Sequence, residues 1–263
     1  MKPAPFRYLR PETLEEALPA LGDDETKVLA GGQSLLPALN MRLVRPATLL
    51  DLNRVRGLDV VSGENGALVV GATVRQADPR LLEHPLLREA LPHVGHFVTR
   101  NRGTVCGSIA HADASAELPL CLVLLDGSVR VRSAGSEREI AARDFFVTHF
   151  TTALEPGELV VETVWPLPEK GWGHAFCELA QRHGDYALCM AAALARGDEL
   201  RVAVGSVVDR PTVLEVDPDR PGESAAAQVE PWGNVHAPPE YLRQLVRILV
   251  DEAVGHARQR AAA

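Results

Sequence analysis

No run of this sequence approaches the roughly 18 uninterrupted apolar residues that a membrane-spanning helix needs, and the N-terminal Met1-Lys2-Pro3-Ala4-Pro5-Phe6-Arg7 lacks the apolar core of a secretory leader. A cytoplasmic location, without membrane insertion, is the expectation. Cysteine is scarce: Cys106, Cys121, Cys177 and Cys189 are far apart and form no C-x-x-C pair. That excludes a zinc ribbon and an iron–sulfur ligand set and leaves reduced, buried thiols as the default. An excess of basic charge is also missing. The 35 acidic and 27 basic residues give a net charge of −8, spread without a long run of one sign, so a nucleic-acid partner has no electrostatic support.

The familiar nucleotide and hydrolase signatures are absent too. There is no G-x-G-x-x-G, and Gly66-Ala67-Leu68-Val69-Val70-Gly71-Ala72-Thr73 has the Walker glycines without the lysine, on a predicted strand. No Gly-x-Ser-x-Gly, His-Glu-x-x-His or Cys/His nucleophile pattern occurs. His93 and His96 are read as sharing a helical face, but spacing supplies no third metal ligand.

What remains is an ordinary folding chain of 263 residues, 46% hydrophobic and 24% charged, long enough for one large domain or two smaller ones. The first fifty residues alternate element types: extended Phe6–Leu9, a helix Leu14–Leu21 with Thr13 and Glu16 as a capping box, a strand Lys27–Ala30, a glycine turn, a helix from Leu35 capped by Ser34, and a strand Thr48–Leu52. Val60–Thr73 reads as two strands around Glu64-Asn65-Gly66, with helices near Gln76–Leu82 and Leu86–Val94. Residues 100–115 read as a polar loop, and Glu117–Leu125 as a buried helix ending at Gly127. Strands follow at Val129–Arg132 and Leu159–Val164. The segment Pro166-Leu167-Pro168-Glu169-Lys170-Gly171 marks a domain boundary. Beyond it, His174–Ala180, Leu188–Arg196 and Leu200–Val208 form a small antiparallel sheet, 212–235 a long loop and Pro239–Gln259 a helix.

Two glycine-bearing turns are candidates for holding phosphate: Ala30-Gly31-Gly32-Gln33-Ser34 and Gly103-Thr104-Val105-Cys106-Gly107-Ser108. Glycine lets the backbone approach an anion without a β-carbon in the way, and successive N–H groups then converge on it. One such turn is more often an ordinary connection. Together with Ala116-Glu117-Leu118-Pro119, and with Phe6-Arg7-Tyr8, Ala153-Leu154-Glu155-Pro156-Gly157-Glu158-Leu159, Arg182-His183-Gly184-Asp185-Tyr186-Ala187 and Glu240-Tyr241-Leu242-Arg243 in order along nearly the whole chain, they make the sequence resemble the FAD-binding medium subunit of the molybdenum hydroxylases. That is the family of carbon monoxide dehydrogenase, nicotine dehydrogenase and the flavin domain of xanthine dehydrogenase.

The resemblance implies an α+β fold: a two-subdomain FAD-binding domain of the p-cresol methylhydroxylase/vanillyl-alcohol oxidase type over residues 1–170, split near 55–58, followed by a small C-terminal sheet-and-helix domain over 171–263, of the carbon monoxide dehydrogenase flavoprotein type. It implies that Ala30, Gly31, Gly32, Gln33, Ser34 and Leu35 on one side, and Thr104, Cys106, Gly107 and Ser108 on the other, grip the FAD diphosphate through backbone donors. Glu117 matches an acidic residue that holds a ribityl hydroxyl, the alternative being a carboxylate at a helix start. His111 and Asp113 share its loop, as cofactor contacts or as solvated residues. Tyr186 matches an aromatic beside the isoalloxazine ring, against the alternative of a core tyrosine, with Arg182 and Asp185 building its turn. No residue is assigned a general acid or base role.

The same resemblance implies an electron-transfer role within a dimer of heterotrimers. A [2Fe–2S] small subunit supplies electrons from a molybdopterin-binding large subunit, and FAD passes them to NAD, dioxygen or another acceptor. The alternatives are a free-standing flavin oxidoreductase of this fold and a flavin-free scaffold subunit. Three departures stand out: Cys106 occupies a common glycine position, the segment 212–235 is short, and Gln33 stands where relatives of the fold carry a flavin-linking histidine. The last implies non-covalent FAD.

Overall fold

The computed structural model describes residues 2–22 and 25–262. The N-terminal stretch builds a parallel sheet of β1 (Arg7–Leu9), β2 (Thr26–Leu29) and β3 (Thr48–Asp51), in the order β1-β3-β2. Two short helices serve it: α1 (Leu14–Ala17) and α2 (Leu35–Asn40). All four residues of β3 are buried, as a central parallel strand requires. α1 is shorter than its sequence pattern, passing into a 3-10 turn at Leu18–Gly22, because Pro19 has no N–H for the next helical bond. Thr13 caps it by accepting from Glu16 N–H, but the return bond from Glu16 reaches Glu12 N–H at 2.9 Å rather than Thr13. Ser34 makes no capping bond, contrary to expectation; its own backbone is already helical (φ −94°, ψ −40°).

A larger antiparallel sheet follows, in the order β4-β5-β10-β6-β7. Its strands are β4 (Val61–Glu64), β5 (Ala67–Gly71), β6 (Ser128–Arg132), β7 (Glu137–Ala141) and β10 (Leu159–Pro166). Asn65 and Gly66, at φ 48° and 78°, form the β4–β5 turn where it was expected. Between β5 and β6 lie α3 (Pro85–Ala90), α4 (Phe97–Arg100), α5 (Val105–His111) and α6 (Glu117–Leu124). The helix expected at Gln76–Leu82 is a 3-10 turn at Pro79–Glu83, started by Asp78, whose side chain accepts from Arg80 N–H. The buried His84 starts α3: its Nε2 lies 3.0 Å from Pro166 O, and burial lowers its pKa to about 4, so it sits neutral in the core. After β7 come α7 (Ala142–Phe145) and the hairpin β8 (Phe146–Thr148) and β9 (Thr151–Thr152), to which the sequence reading assigned nothing.

Residues 100–115 are not a loop. The middle seven residues of that segment, Val105–His111, are α5, capped by Thr104 Oγ1, which accepts from Gly107 N–H at 3.1 Å, and the helix buries Val105, Cys106 and Ile109. α6 is as expected: every residue is buried, Glu117 included.

The C-terminal sheet, in the order β11-β12-β13-β14, comprises β11 (Gly173–Ala180), β12 (Ala187–Arg196), β13 (Glu199–Gly205) and β14 (Thr212–Leu214). Helices α8 (Pro221–Gln228) and α9 (Pro239–Ala261) cover one face. The segment expected as a long loop over 212–235 therefore holds a strand and a helix. Pro221 in the first turn and the alanines behind it are a helix start that the Pro/Asp-rich composition concealed. Alternate residues of β11 serve two cores: Phe176 joins the core of the preceding sheet and helices, whereas Ala175 and Cys177 pack beneath α9.

Candidate functional site

The two glycine turns meet. Gly31 lies directly against Arg102 and Gly103, with no room for a β-carbon, and Ala30 lies beside Gly107. A polar brace holds them in this position. Asn53, just past β3, donates from Nδ2 to Ala30 O at 2.9 Å, and its side-chain oxygen accepts from Arg75; Arg75 also donates to Arg102 O. Asp51 anchors the other end, accepting from Asn53 N–H at 2.9 Å and from the Tyr8 hydroxyl. Although burial works the other way, the Tyr8 and Asn53 bonds together hold the Asp51 carboxyl below its usual range. The sequence reading missed Asn53 and Arg75 because neither belongs to a motif; each is defined by the carbonyl it reaches.

Among the described residues, the backbone N–H groups of Gly31, Gly32, Gln33, Ser34 and Leu35 have no protein acceptor, and neither do those of Thr104 and Cys106. Gly107 and Ser108 N–H groups are already used, by Thr104 Oγ1 and Thr104 O. Donors left unpaired on two abutting turns form an anion nest. The Gln33 side chain folds back, with Nε2 3.4 Å from Gly31 O, and leaves the run of N–H groups open.

Cys106 does not obstruct the nest. Its φ is not positive, and its thiol points into the core, where it donates to Val70 O at 3.3 Å and lies 3.6 Å from Thr163 Oγ1. Burial pushes that thiol up to about 12. The Cys106 side chain packs in the core and leaves the turn to its backbone.

Asp113 and Glu117 are buried at the start of α6. Asp113 accepts from Ser115 N–H at 2.9 Å and lies 3.4 Å from His149 Nε2. His149 stacks on Phe150, and the half-buried His111 is tilted against Phe150 with its ring centre 4.9 Å away. Burial, reinforced by Asp113, pushes the Glu117 carboxyl up to about 7. Tyr186 lies on the β11–β12 connection, where Asp185 N–H donates to Arg182 O at 3.0 Å. It is 69% exposed, which excludes the core-tyrosine alternative. Local desolvation and then the charges of Asp113 and Glu117 raise its phenol, so all three share one electrostatic neighbourhood.

His93 and His96 do not share a helix. His93 follows α3 and stands 3.9 Å from Glu178 on β11, while His96 precedes α4 and lies against Gly184. Glu178 is a buried acid outside every sequence motif, its side chain 3% exposed; among the described residues one of its oxygens, Oε2, has no partner.

Residues 4–168 match the family model described as the FAD binding domain in molybdopterin dehydrogenase. Along 99% of its length the chain is 37% identical to the 6-hydroxypseudooxynicotine dehydrogenase complex subunit alpha of Paenarthrobacter nicotinovorans, covering 97% of that protein. It is 29% identical to the carbon monoxide dehydrogenase medium chain of Afipia carboxidovorans, with 99% of each covered. Among solved structures, quinoline 2-oxidoreductase from Pseudomonas putida 86 superposes with a TM-score of 0.92 at 36% identity over the full length of both chains. The nest suits the diphosphate of the flavin nucleotide that such a domain binds, and the chain belongs to the FAD-binding medium subunits of the molybdenum hydroxylase family.

Proposed function

We propose that this subunit relays electrons within a heterotrimeric complex, receiving them from [2Fe–2S] clusters on a small subunit fed by a molybdopterin-binding large subunit, and delivering them to NAD, dioxygen or another acceptor. The observation that carries the reading is the run of unpaired N–H groups on two braced turns. Bound FAD supplies the redox chemistry, accepting electrons singly and releasing a pair. The chain's residues place and tune it. The N–H groups of Gly31 to Leu35, Thr104 and Cys106 would hold the diphosphate, with the Ser108 hydroxyl as a further donor. Glu117 and Asp113 would accept from ribityl hydroxyls or ordered water, with His111 beside them, and Tyr186 would lie on the flavin-ring side of the site. Nothing in this set is a nucleophile or an obligatory general base, which fits a relay better than a free-standing oxidase.

Gln33 at the first turn supports a non-covalent attachment. The division near residue 170, and that between the first two sheets near 55–58, follow the strand groupings, and the C-terminal sheet is read as the surface that presents Tyr186. Co-expression with an iron–sulfur subunit and a molybdopterin subunit tests the reading. A yellow complex that yields FAD on acid precipitation, and whose flavin is reduced when substrate is oxidised on the large subunit, is the expected result. A colourless chain that takes up no added FAD would overturn it.

A further inference from the structure

Cys177 on β11 and the pair Glu252 and His256 on α9 stand apart from everything described above. The thiol lies on the face of the sheet opposite to Phe176, beneath α9, and the two helical residues, four apart, project from neighbouring turns of the same helix face. Cys177 Sγ is 3.9 Å from His256 Nδ1, and a ligand atom from each of the three residues lies within 4.8 Å of the others. It is the only such group among the described residues. Neither Glu252 nor His256 is otherwise employed: among the described residues Glu252 has no hydrogen bond or ion pair, and His256 meets only Cys177.

From these contacts we propose that Cys177, Glu252 and His256 form a three-ligand site for a thiophilic divalent cation, zinc foremost, that clips the C-terminal helix to the edge strand of its sheet. In a tetrahedral zinc site, with bonds of about 2.3 Å to sulfur and about 2.0–2.1 Å to nitrogen or oxygen, neighbouring ligand atoms are roughly 3.3–3.6 Å apart. The present spacing, up to 4.8 Å, needs to contract by at most about 1.5 Å. Glu252 and His256 are exposed, so their side-chain torsions supply that movement without shifting the backbone. A soft thiolate with an imidazole selects zinc over magnesium or calcium. On binding, the Cys177 S–H bond breaks, its proton leaves to solvent, and an S–Zn bond forms; thiolate and carboxylate then balance the two positive charges, and water takes the fourth position. Arg260, one turn further along α9, does not oppose the cation at close range, because its guanidinium is held by Glu89 and His174 O. The edge position of β11 gives the clip something to do, since α9 docks across this strand and β12.

The test uses the full-length chain, stripped of metal and dialysed against graded Zn2+, with bound zinc measured by atomic spectroscopy and Cys177 alkylation followed by peptide mass spectrometry. One zinc per chain, a higher Tm with zinc, and protection of Cys177 are expected. Glu252→Gln and His256→Asn, both at exposed positions and therefore compatible with folding, should each weaken uptake by roughly tenfold or more, and Cys177→Ser should abolish it. FAD content should not change in any of them, which separates this site from the cofactor site. Zinc uptake absent from the parent chain, or present but unchanged in the Glu252 and His256 variants, would overturn the proposal.

Discussion

Gly31 and Arg102 touch: a β-carbon on Gly31 would stand 2.4 Å from the Arg102 carbonyl oxygen and 2.6 Å from the α-carbon of Gly103. The obstacle is backbone on both counts, so no rotamer change relieves it. Gly31→Ala must push the two turns apart, at a cost of about 1–3 kcal/mol in strain, and should weaken FAD binding by about tenfold or more at the 1.4 kcal/mol per decade of affinity. Gly63→Ala, with nothing within 4 Å of the added carbon, is the matched control and should leave affinity unchanged. Flavin-fluorescence titration of the apoprotein measures both.

The brace between the turns predicts a second separation of effects. Arg75 spans Asn53 and Arg102 O with two different guanidinium nitrogens, a forked geometry that a lysine cannot reproduce. Arg75→Lys should therefore behave like a loss of the brace rather than a conservative change. Loss of hydrogen bonds from a charged donor costs about 1.5–3 kcal/mol each, spread between lower Tm and weaker FAD binding. Equal affinity in parent and Arg75→Lys, by the same titration, would show that the turns hold their spacing without it.

Tyr186 should matter to function without mattering to the fold. An exposed side chain contributes little to stability, within about 0.5 kcal/mol of neutral on substitution. Tyr186→Ala is expected to match the parent in Tm and FAD content, yet to change the rate at which reduced flavin in the complex passes electrons to an acceptor. A large drop in Tm would instead return Tyr186 to a structural role.

The parts of the fold that were legible in the sequence are those where one residue or one period dominates. The all-apolar α6, the Asn65-Gly66 hairpin and the spacing of α9 each carry a local signal that tertiary contacts reinforce. α5 was missed because its polar and glycine residues suggest a loop, whereas its helix is fixed by a cap from Thr104 and by burial of Val105 and Ile109, and burial is not a local property. The candidate site divides in the same way. The glycine turns were readable as motifs, but which of their N–H groups remain unpaired depends on bonds formed within α5. Asn53 and Arg75 gain their importance only from carbonyls brought to them across long stretches of chain. Glu178, likewise, is one carboxylate among many until β11 presses it against the preceding core.

That buried acid gives the molecule a pH dependence with a definite sign. Burial first, and the nearby charge of Glu117 second, raise Glu178 from 4.5 to about 8, while its side chain is 3% exposed and its nearest basic group, His93, has its own pKa lowered by burial. Between those two pH values the folded chain binds more protons at this position than the unfolded chain does, so the contribution to stability is whole below about pH 4.5 and is lost as the pH rises through about 8. Each such proton is worth up to about 1.4 kcal/mol per pH unit in slope. Denaturant melts of the parent should show stability falling across this range, with Glu117, raised to about 7, adding to the fall. Glu178→Gln keeps a neutral amide of the same shape and should flatten the profile, most visibly near pH 8, where the variant should be the more stable protein. A variant profile parallel to that of the parent would mean that Glu178 is ionised in the folded state and that its unpaired oxygen is satisfied by solvent.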